Sequence, residues 1–224
     1  MNDKGLSYID LFAGAGGLSE GFIQSGYRPI AHVEMDGYAA RTIETRIAYY
    51  YLKENNKLES YYKYERNELS RNQLLELIPE KELKTVINKE MSETTIKGIF
   101  QIIDTIKAEK EIGQVDVIIG GPPCQAYSLV GRAQSSHMIV PMDDDPRNEL
   151  YKMYVQFLNR YKPRMFVFEN VAGIKTARGG QAFKNLQKYM RKVGYEIEYH
   201  ELNAYDFGVL QSRKRVIIVG WLKG

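Results

Sequence analysis

Short apolar runs that alternate with helical stretches limit this chain to an α/β fold more strongly than any other feature of its sequence. The apolar runs predict strands at 8–12, 29–33, 115–119, 165–168, 196–202 and 216–221. Helical spacing predicts a helix that begins near residue 18 and further helices at 37–51, 149–161 and 181–193. Strands that alternate with helices form a doubly wound, mostly parallel sheet. Only a turn at 206–208 separates the last two strands, so we expect one antiparallel strand near the C-terminus.

The length of the chain limits the number of domains. Its 224 residues are enough for one α/β domain with a full core or for two small ones, and we expect a single domain over 1–224. A stretch rich in Lys, Glu, Asn and Tyr, at about 49–113, is predicted to be a helical insertion. Six tyrosines within 49–64 could stack on single-stranded nucleic acid or could pack the insertion onto the domain, and packing is the favoured interpretation.

Composition excludes several classes of protein. A single cysteine excludes an internal disulfide framework, and three histidines leave little for structural zinc. Three consecutive aspartates at 143–145 are interpreted as solvated, so no metal is expected. No apolar run approaches the roughly 20 residues of a membrane span, and a strand follows the N-terminus directly, so we expect a cytoplasmic protein without membrane contact. A net charge of +3 permits a nucleic-acid partner without requiring one.

A glycine cluster follows the first predicted strand. Gly14, Gly16 and Gly17 let the backbone approach a nucleotide-like ligand and open a helix. The acidic Glu34 comes 22 positions after Phe12, at the end of the second strand, where a carboxylate accepts hydrogen bonds from ribose hydroxyls. The spacing fits a dinucleotide or an adenosine-containing methyl donor, and the cluster alone could be only a tight turn. The full dinucleotide fingerprint is absent, which disfavours hydride transfer.

The only cysteine, Cys124, directly follows Gly-Gly-Pro-Pro at the end of the third predicted strand. Open α/β sheets bind ligands at the carboxyl ends of their strands, and prolines stiffen the exit. A thiol in that place suggests a nucleophile. A buried cysteine that acts as a small hydrophobic residue is the alternative.

Four motifs occur in a fixed order, at 10–17 (Asp-Leu-Phe-Ala-Gly-Ala-Gly-Gly), 120–128 (Gly-Gly-Pro-Pro-Cys-Gln-Ala-Tyr-Ser), 168–171 (Phe-Glu-Asn-Val) and 211–215 (Gln-Ser-Arg-Lys-Arg). In this series the chain resembles the DNA (cytosine-5)-methyltransferases from Ser7 to Gly220, apart from the stretch near 49–113. The resemblance implies the Rossmann-like sheet of methyltransferases that use S-adenosylmethionine and release S-adenosylhomocysteine. It also implies duplex DNA as the partner and, in a prokaryote, association with the nucleoid.

The resemblance assigns catalytic roles residue by residue. Cys124 would attack C6 of a flipped cytosine, and Glu169 would bond its N3 and exocyclic amine. Arg215 would reach the cytosine O2, with Arg213 close to the flipped nucleotide. The remaining substrate and loop residues implied by the resemblance are Gln125, Ser128, Asn170 and Gln211. Among these, Asn170 would hold the loop around the cysteine, and 125–147 would form a mobile loop that closes over the base.

The resemblance also assigns the methyl-donor site. Phe12, Gly14 and Gly16 would surround the methionine and adenosine parts, Glu34 would bind the ribose, and Met35 would pack on the adenine. Pro123 and Leu150 would line the remaining wall. Asp104, expected at a strand end, is the candidate for an acid that reads the adenine amine.

Two elements of the family are missing from the sequence, namely the target-recognition domain and the closing segment that completes the donor pocket. We therefore expect either one subunit of a split enzyme, whose companion chain supplies them, or a truncated product, with weak or no activity alone. A transfer-RNA cytosine-5 methyltransferase of the same fold is the alternative within the enzyme class. A non-catalytic remnant that binds the cofactor or DNA is the alternative outside it.

Overall fold

A computed structural model describes residues 5–123 and 150–223, which form a seven-stranded sheet with helices on both faces. The strands are β1 (Ser7–Leu11), β2 (Arg28–Glu34), β3 (Val86–Asn88), β4 (Val117–Gly120), β5 (Met165–Val171), β6 (Tyr195–Asn203) and β7 (Lys214–Leu222). Their order is β3-β2-β1-β4-β5-β7-β6. Neighbouring strands are parallel except that β7 is antiparallel to both β5 and β6. The predicted doubly wound, mostly parallel sheet with one antiparallel strand is confirmed.

Helices connect the strands. They are α1 (Gly17–Gln24), α2 (Gly37–Glu54), α3 (Leu58–Glu65), α4 (Arg71–Glu76), α5 (Glu80–Leu83), α6 (Ile96–Glu109), α7 (Leu150–Tyr161) and α8 (Gln181–Lys192). Short 3-10 turns cover Ala172–Lys175, Ala177–Gly180 and Ala204–Phe207. Local chemistry explains the helix starts: Asp36 caps α2 by accepting from the backbone N–H groups of Tyr38 and Ala39, and Ser70 and Gln73 form a capping box at α4. No helix among the described residues is both long and apolar enough to cross a membrane.

The core lies on both faces of the sheet. On one face, alternate strand residues such as Leu11, Ile118 and Phe168 pack against α6, α7 and α8. On the other face, a smaller cluster centred on Tyr8 packs under α1. Helix α6 buries Ile96, Ile99, Ile103 and Ile106, whose spacing of three and four residues places them on one side of the helix.

The predicted insertion at 49–113 is too wide. Helix α2 continues to Glu54, β3 adds an edge strand to the sheet beside β2, and α6 packs on the main core. Strand β3 has only three residues, so it shows no periodicity that sequence reasoning could detect. The helices α3–α5 remain as the added part, and they pack on a small cluster of their own that includes Leu52 and Leu74. Tyr51, Tyr61 and Tyr64 pack against that cluster, which is the packing role favoured from the sequence.

Candidate active site

Three residues in the loop between β1 and α1 have backbone angles in the left-handed region. Phe12, Gly14 and Gly16 have φ angles of 57°, 54° and 81°. Glycine adopts such angles without strain, whereas phenylalanine does so at a cost, which suggests a constrained site at Phe12. The N–H of Ala13 donates to the carbonyl of Val33 at 3.1 Å, so the loop is fixed against the end of β2.

The carboxylate of Glu34 is held in place by backbone donors. It accepts from the N–H of Gly14 at 2.7 Å and from the N–H of Asp36 at 2.8 Å. The side-chain amide of Asn88, at the end of β3, donates to the carbonyls of Glu34 and Met35 at 2.9 and 3.0 Å. The turn after β2 is therefore fixed from two sides, and Met35 extends outward with 63% of its surface exposed.

A cavity of about 570 Å³ opens at the carboxyl ends of these strands. Five of the predicted donor-site residues line it, namely Phe12, Glu34, Met35, Pro123 and Leu150. Gly14 contributes through its bond to Glu34, and Gly16 lies buried at the start of α1. The surface that lines the cavity is mainly apolar, as in most small-molecule sites, and polar side chains are present as well.

One wall of the cavity was not predicted from the sequence. The segment 89–93, which follows β3, supplies Lys89, Glu90, Ser92 and Glu93 together with Met91. The only signal for it would have been a strand end at Asn88, and three strand residues are too few to give one. These polar side chains take the place on the cavity wall that was expected for Asp104.

The prediction that Asp104 ends a strand is wrong. Asp104 lies inside α6, where the spacing of four isoleucines is helical. Its carboxylate pairs with the guanidinium of Arg160 on α7, and this hydrogen bond raises the pKa of Arg160. Both side chains are more than 40% exposed, and neither lines the cavity.

A carboxylate–guanidinium cluster lies at the same edge of the sheet. Strand β5 extends further than predicted, because its antiparallel pairing with β7 continues to Val171, so Glu169 lies within the strand. Arg215, on β7, donates from Nε to Oε1 of Glu169 at 2.7 Å, and Nη2 of Arg213 lies 3.6 Å from the same oxygen. Alternate spacing places both arginines on the face that carries Glu169. Glu169 and Arg215 are about one quarter exposed, so they are accessible from the edge.

Gly121 joins the cavity to the cluster. It lines the cavity, and a Cβ atom added to it would lie 2.7 Å from Oε2 of Glu169. Only glycine therefore allows the carboxylate to lie against the exit of β4. The buried amide of Asn170 donates to the carbonyl of Pro122 at 3.1 Å, which fixes the Gly-Pro-Pro exit from the neighbouring strand.

Some predicted residues do not enter this description. Cys124, Gln125 and Ser128 lie outside the described residues, and so does the predicted loop at 125–147. Gln211 is exposed in the turn before β7, where its N–H donates to the carbonyl of Val209 at 2.7 Å. In the sequence, Cys124 comes two residues after Pro122, whose carbonyl accepts from the amide of Asn170.

Comparison with known proteins identifies the class that this fold and site define. A family model described as C-5 cytosine-specific DNA methylase matches residues 6–60 and 80–224, and the chain belongs to this family. The unmatched residues 61–79 fall within α3–α5, the added helices.

Particular relatives agree with the family. The chain is 39% identical over 240 residues to the type II methyltransferase M.Bpa9945I of Bacillus paralicheniformis, covering 96% of this chain and 53% of that protein. It is 30% identical to the type II methyltransferase M1.HphI of Haemophilus parahaemolyticus, covering 96% of this chain and 45% of that protein. The chain therefore spans about half the length of these curated relatives.

Solved structures support the fold. A putative DNA modification methyltransferase encoded within an E. coli prophage aligns with a TM-score of 0.59 at 23% identity, over 97% of this chain and 47% of that one. The Dnmt2 methyltransferase of S. pombe aligns with a TM-score of 0.58 at 17% identity, over 98% of this chain and 52% of that one.

Proposed function

We propose that this chain is the catalytic part of an enzyme that transfers a methyl group from S-adenosylmethionine to C5 of cytosine in duplex DNA. One observation carries the proposal: Gly121 places the Glu169–Arg215 pair directly beside the cavity, at the exit that leads to Cys124. A methyl donor bound in the cavity and a cytosine bound at the Glu169–Arg215 pair would lie next to each other.

The residues at the cavity fit an adenosine-containing donor. The Glu34 carboxylate is already fixed by two backbone N–H groups and keeps acceptor capacity for ribose hydroxyls. Met35 offers an exposed apolar surface to the adenine, and Glu90, Ser92 and Glu93 on the cavity wall offer acceptors to its amine. When bound, the donor supplies an electrophilic methyl group on a sulfonium.

The chain's own residues would make the base reactive. Cytosine C5 is a poor nucleophile, so the thiolate of Cys124 adds to C6 and forms a C–S bond. The electron pair released toward C5 makes that carbon nucleophilic. C5 then takes the methyl group, with S-adenosylhomocysteine as the second product. Loss of the C5 proton to solvent breaks the C–S bond, restores the aromatic ring and frees the thiolate.

Glu169 would stabilise the charge that develops on the ring as the thiolate adds. A proton on its carboxyl group would be donated to the cytosine N3 while the other carboxyl oxygen accepts from the exocyclic amine, and Arg215 is positioned to donate to the O2 of the same base. The ion pair between Glu169 and Arg215 holds both groups in place before the base arrives. Preorganised donors and acceptors of this kind cost no reorganisation during the reaction. Asn170 acts as a positioning residue by fixing the exit that carries Cys124.

Because the chain spans about half of its relatives' length, the remaining functions are assigned to another part. We infer that target recognition and the segment that closes the donor pocket come from a companion chain or from the rest of a longer polypeptide. The chain alone would then methylate DNA weakly or not at all.

Trapping of the covalent adduct tests the proposal. The chain is combined with the missing half of a relative, S-adenosylmethionine and duplex DNA that contains 5-fluorocytosine, in which fluorine blocks release of the thiol. We expect a denaturation-resistant complex, absent for Cys124→Ser. Methyl incorporation into duplex DNA and into transfer RNA is then compared. Incorporation into transfer RNA alone would replace the proposed substrate, and absence of adduct and of methylation would favour a non-catalytic remnant.

A further inference from the structure

Helix α8 carries a stripe of positive charge that the proposed reaction does not use. Its solvent face presents Lys184, Lys188, Arg191 and Lys192, all exposed. The helix contains no acidic residue. The whole chain has a net charge of +3, so the residues outside this helix, which holds four positive charges, sum to −1. The basic excess of the protein is therefore concentrated on one helix.

No acidic side chain in the part of the chain that the structure describes forms an ion pair with the stripe. Many cations elsewhere have an acidic partner, for example Arg46 with Glu20 and Arg71 with Glu44. Within residues 5–123 and 150–223, the four cations of α8 form no ion pair. The neighbouring helix α7 has no acidic residue between 150 and 161 either.

Helix stability does not account for this pattern. Cations in the last turn, such as Arg191 and Lys192, are favoured by the helix dipole. Lys184 lies in the first turn, where the dipole disfavours positive charge. Lys188 follows four residues later, and like charges at that spacing repel. The positive charges of Lys184 and Lys188 therefore lower the stability of the helix, which points to a ligand as the reason for them.

We propose that the exposed stripe Lys184–Lys188–Arg191–Lys192 is a second contact surface for the phosphate backbone of nucleic acid. The four cations extend over about 12 Å along the helix axis. Phosphates repeat every 3.4 Å along one strand of a duplex, so the stripe spans about three to four of them. The inference rests on the proposed function only in taking the polyanion to be the nucleic acid that is methylated.

The topology connects this stripe to the reactive edge. Helix α8 follows β5 and precedes β6, and these two strands run parallel to each other. Helix α8 therefore begins near the strand ends that carry Glu169 and runs back toward the opposite ends of the strands. Lys184, in the first turn, is thus the stripe residue nearest to the reactive edge. A duplex engaged at that edge could continue onto the stripe.

The composition of the stripe favours phosphate over other acidic partners. Protein interfaces have an apolar centre and are depleted in lysine. Here the apolar side chains Phe183, Leu186 and Met190 are buried in the core, and the exposed face is mainly basic. For the same reason the helix has no apolar face free to insert into a membrane. A phosphate backbone requires only the charges.

Salt-dependent binding of the full chain tests the proposal. The probe is a duplex of about 20 base pairs and arbitrary sequence, measured without methyl donor by fluorescence anisotropy from about 50 to 200 mM salt. For the double variant K184E/K188E we expect binding about tenfold weaker or more, and a decrease of about 2 in the slope of log affinity against log salt, since each phosphate contact contributes about 0.9. The neutral variant K184Q/K188Q should lie between it and the unmodified chain.

The matched control is K57E/K63E, which makes the same change in net charge on exposed residues at α3. We expect it to change the affinity by less than about twofold. Equal losses in the two double variants, no loss in K184E/K188E, or no duplex binding by the unmodified chain would each overturn the proposal. So would binding to anionic lipid vesicles that K184E/K188E loses while duplex binding is retained.

Failure of the proposed function would be distinguishable. The variant Glu169→Gln should lower methylation by about 10²- to 10⁴-fold while it leaves the effect of the stripe on duplex binding intact. If the completed enzyme methylated no nucleic acid and yet K184E/K188E still weakened duplex binding, the stripe would stand and the proposed reaction would not.

Discussion

The two halves of the site are built in different ways. In the cavity half, backbone groups close in sequence fix one carboxylate: Gly14 and Asp36 hold Glu34. The cluster half is made by side chains more than forty positions apart, Glu169 on β5 and Arg215 on β7, joined by antiparallel pairing. Gly121 is the residue that touches both halves.

This difference separates binding from reactivity. Backbone donors hold the Glu34 carboxylate in place as an acceptor for a ligand, so the cavity half is suited to holding a donor. Charged side chains at a strand edge can stabilise charge that develops during a reaction, so the cluster half is suited to chemistry. Substitutions in the two halves should accordingly affect different measurements.

The largest effect is expected in the cluster half. Glu169→Gln removes the carboxyl group that pairs with Arg215 and that, in the proposed reaction, bonds the base, so methyl transfer by the completed enzyme should fall by about 10²- to 10⁴-fold. Donor affinity, measured by calorimetry, should stay within about threefold because the cavity half is intact. A loss of donor binding as large as the loss of rate would break the separation.

Substitution of Gly121, which touches both halves, should lower the rate of methyl transfer strongly and the stability only slightly. In Gly121→Ala the added methyl group displaces the flexible end of Glu169, so we expect about a 100-fold loss of rate, typical of a misplaced reactive group. The added Cβ would also lie 3.2 Å from the backbone oxygen of Glu169, so the melting temperature should fall slightly. Gly220→Ala is the contrasting variant, because its Cβ would lie 2.1 Å from the buried ring of Phe166, and overpacking should destabilise the fold by about 1–3 kcal/mol.

In the cavity half, Glu34→Gln should weaken donor binding. The carboxylate accepts two backbone hydrogen bonds, and an amide can offer only one oxygen to them and to a ribose. A hydrogen bond to a charged group contributes about 1.5–3 kcal/mol, so the donor dissociation constant should rise about tenfold or more. Adduct formation with fluorocytosine duplex at saturating donor should be retained. A loss of adduct formation at saturating donor would mean that Glu34 also acts in the reaction at the cluster half.

A smaller effect concerns the packing beneath both halves. The Tyr154 hydroxyl lies 3.0 Å from the carbonyl oxygens of Ile118 on β4 and Val167 on β5, its acceptors, and burial raises the pKa of this tyrosine well above 10.0. The folded protein keeps this proton at pH values where the unfolded chain loses it. The free energy of unfolding should therefore decrease above pH 10, by about 1.4 kcal/mol per pH unit for each such tyrosine. In urea titrations, Tyr154→Phe should reduce this slope by the contribution of one tyrosine, and an unchanged slope would contradict the assignment.

The smallest effect is expected outside both halves. Asp104→Asn removes the exposed pair with Arg160, which should cost less than about 1 kcal/mol of stability. Donor affinity should change by less than about twofold, because Asp104 does not line the cavity. A clear loss of donor affinity in calorimetry would mean that Asp104 contacts the donor. It would contradict the assignment of the adenine amine to Glu90, Ser92 and Glu93.

The sequence by itself determined the features that depend on neighbouring residues. Strand and helix periodicity predicted six of the seven strands and the antiparallel end of the sheet. Glycines and prolines marked the strand exits at Gly14 and Gly121, because backbone restrictions are local properties. The spacing from Phe12 to Glu34 placed the carboxylate at the cavity for the same reason.

Tertiary structure decided what depends on distant residues. Strand β3 is too short to show a period, so only its pairing with β2 revealed it and, with it, the cavity wall at 89–93. The isoleucines around Asp104 have helical spacing, and only the folded structure pairs the carboxylate of Asp104 with Arg160. The contact of Glu169 with Arg215 exists because two strands pair in a defined register, and register is set by the burial of a whole sheet face, not by any local run of residues.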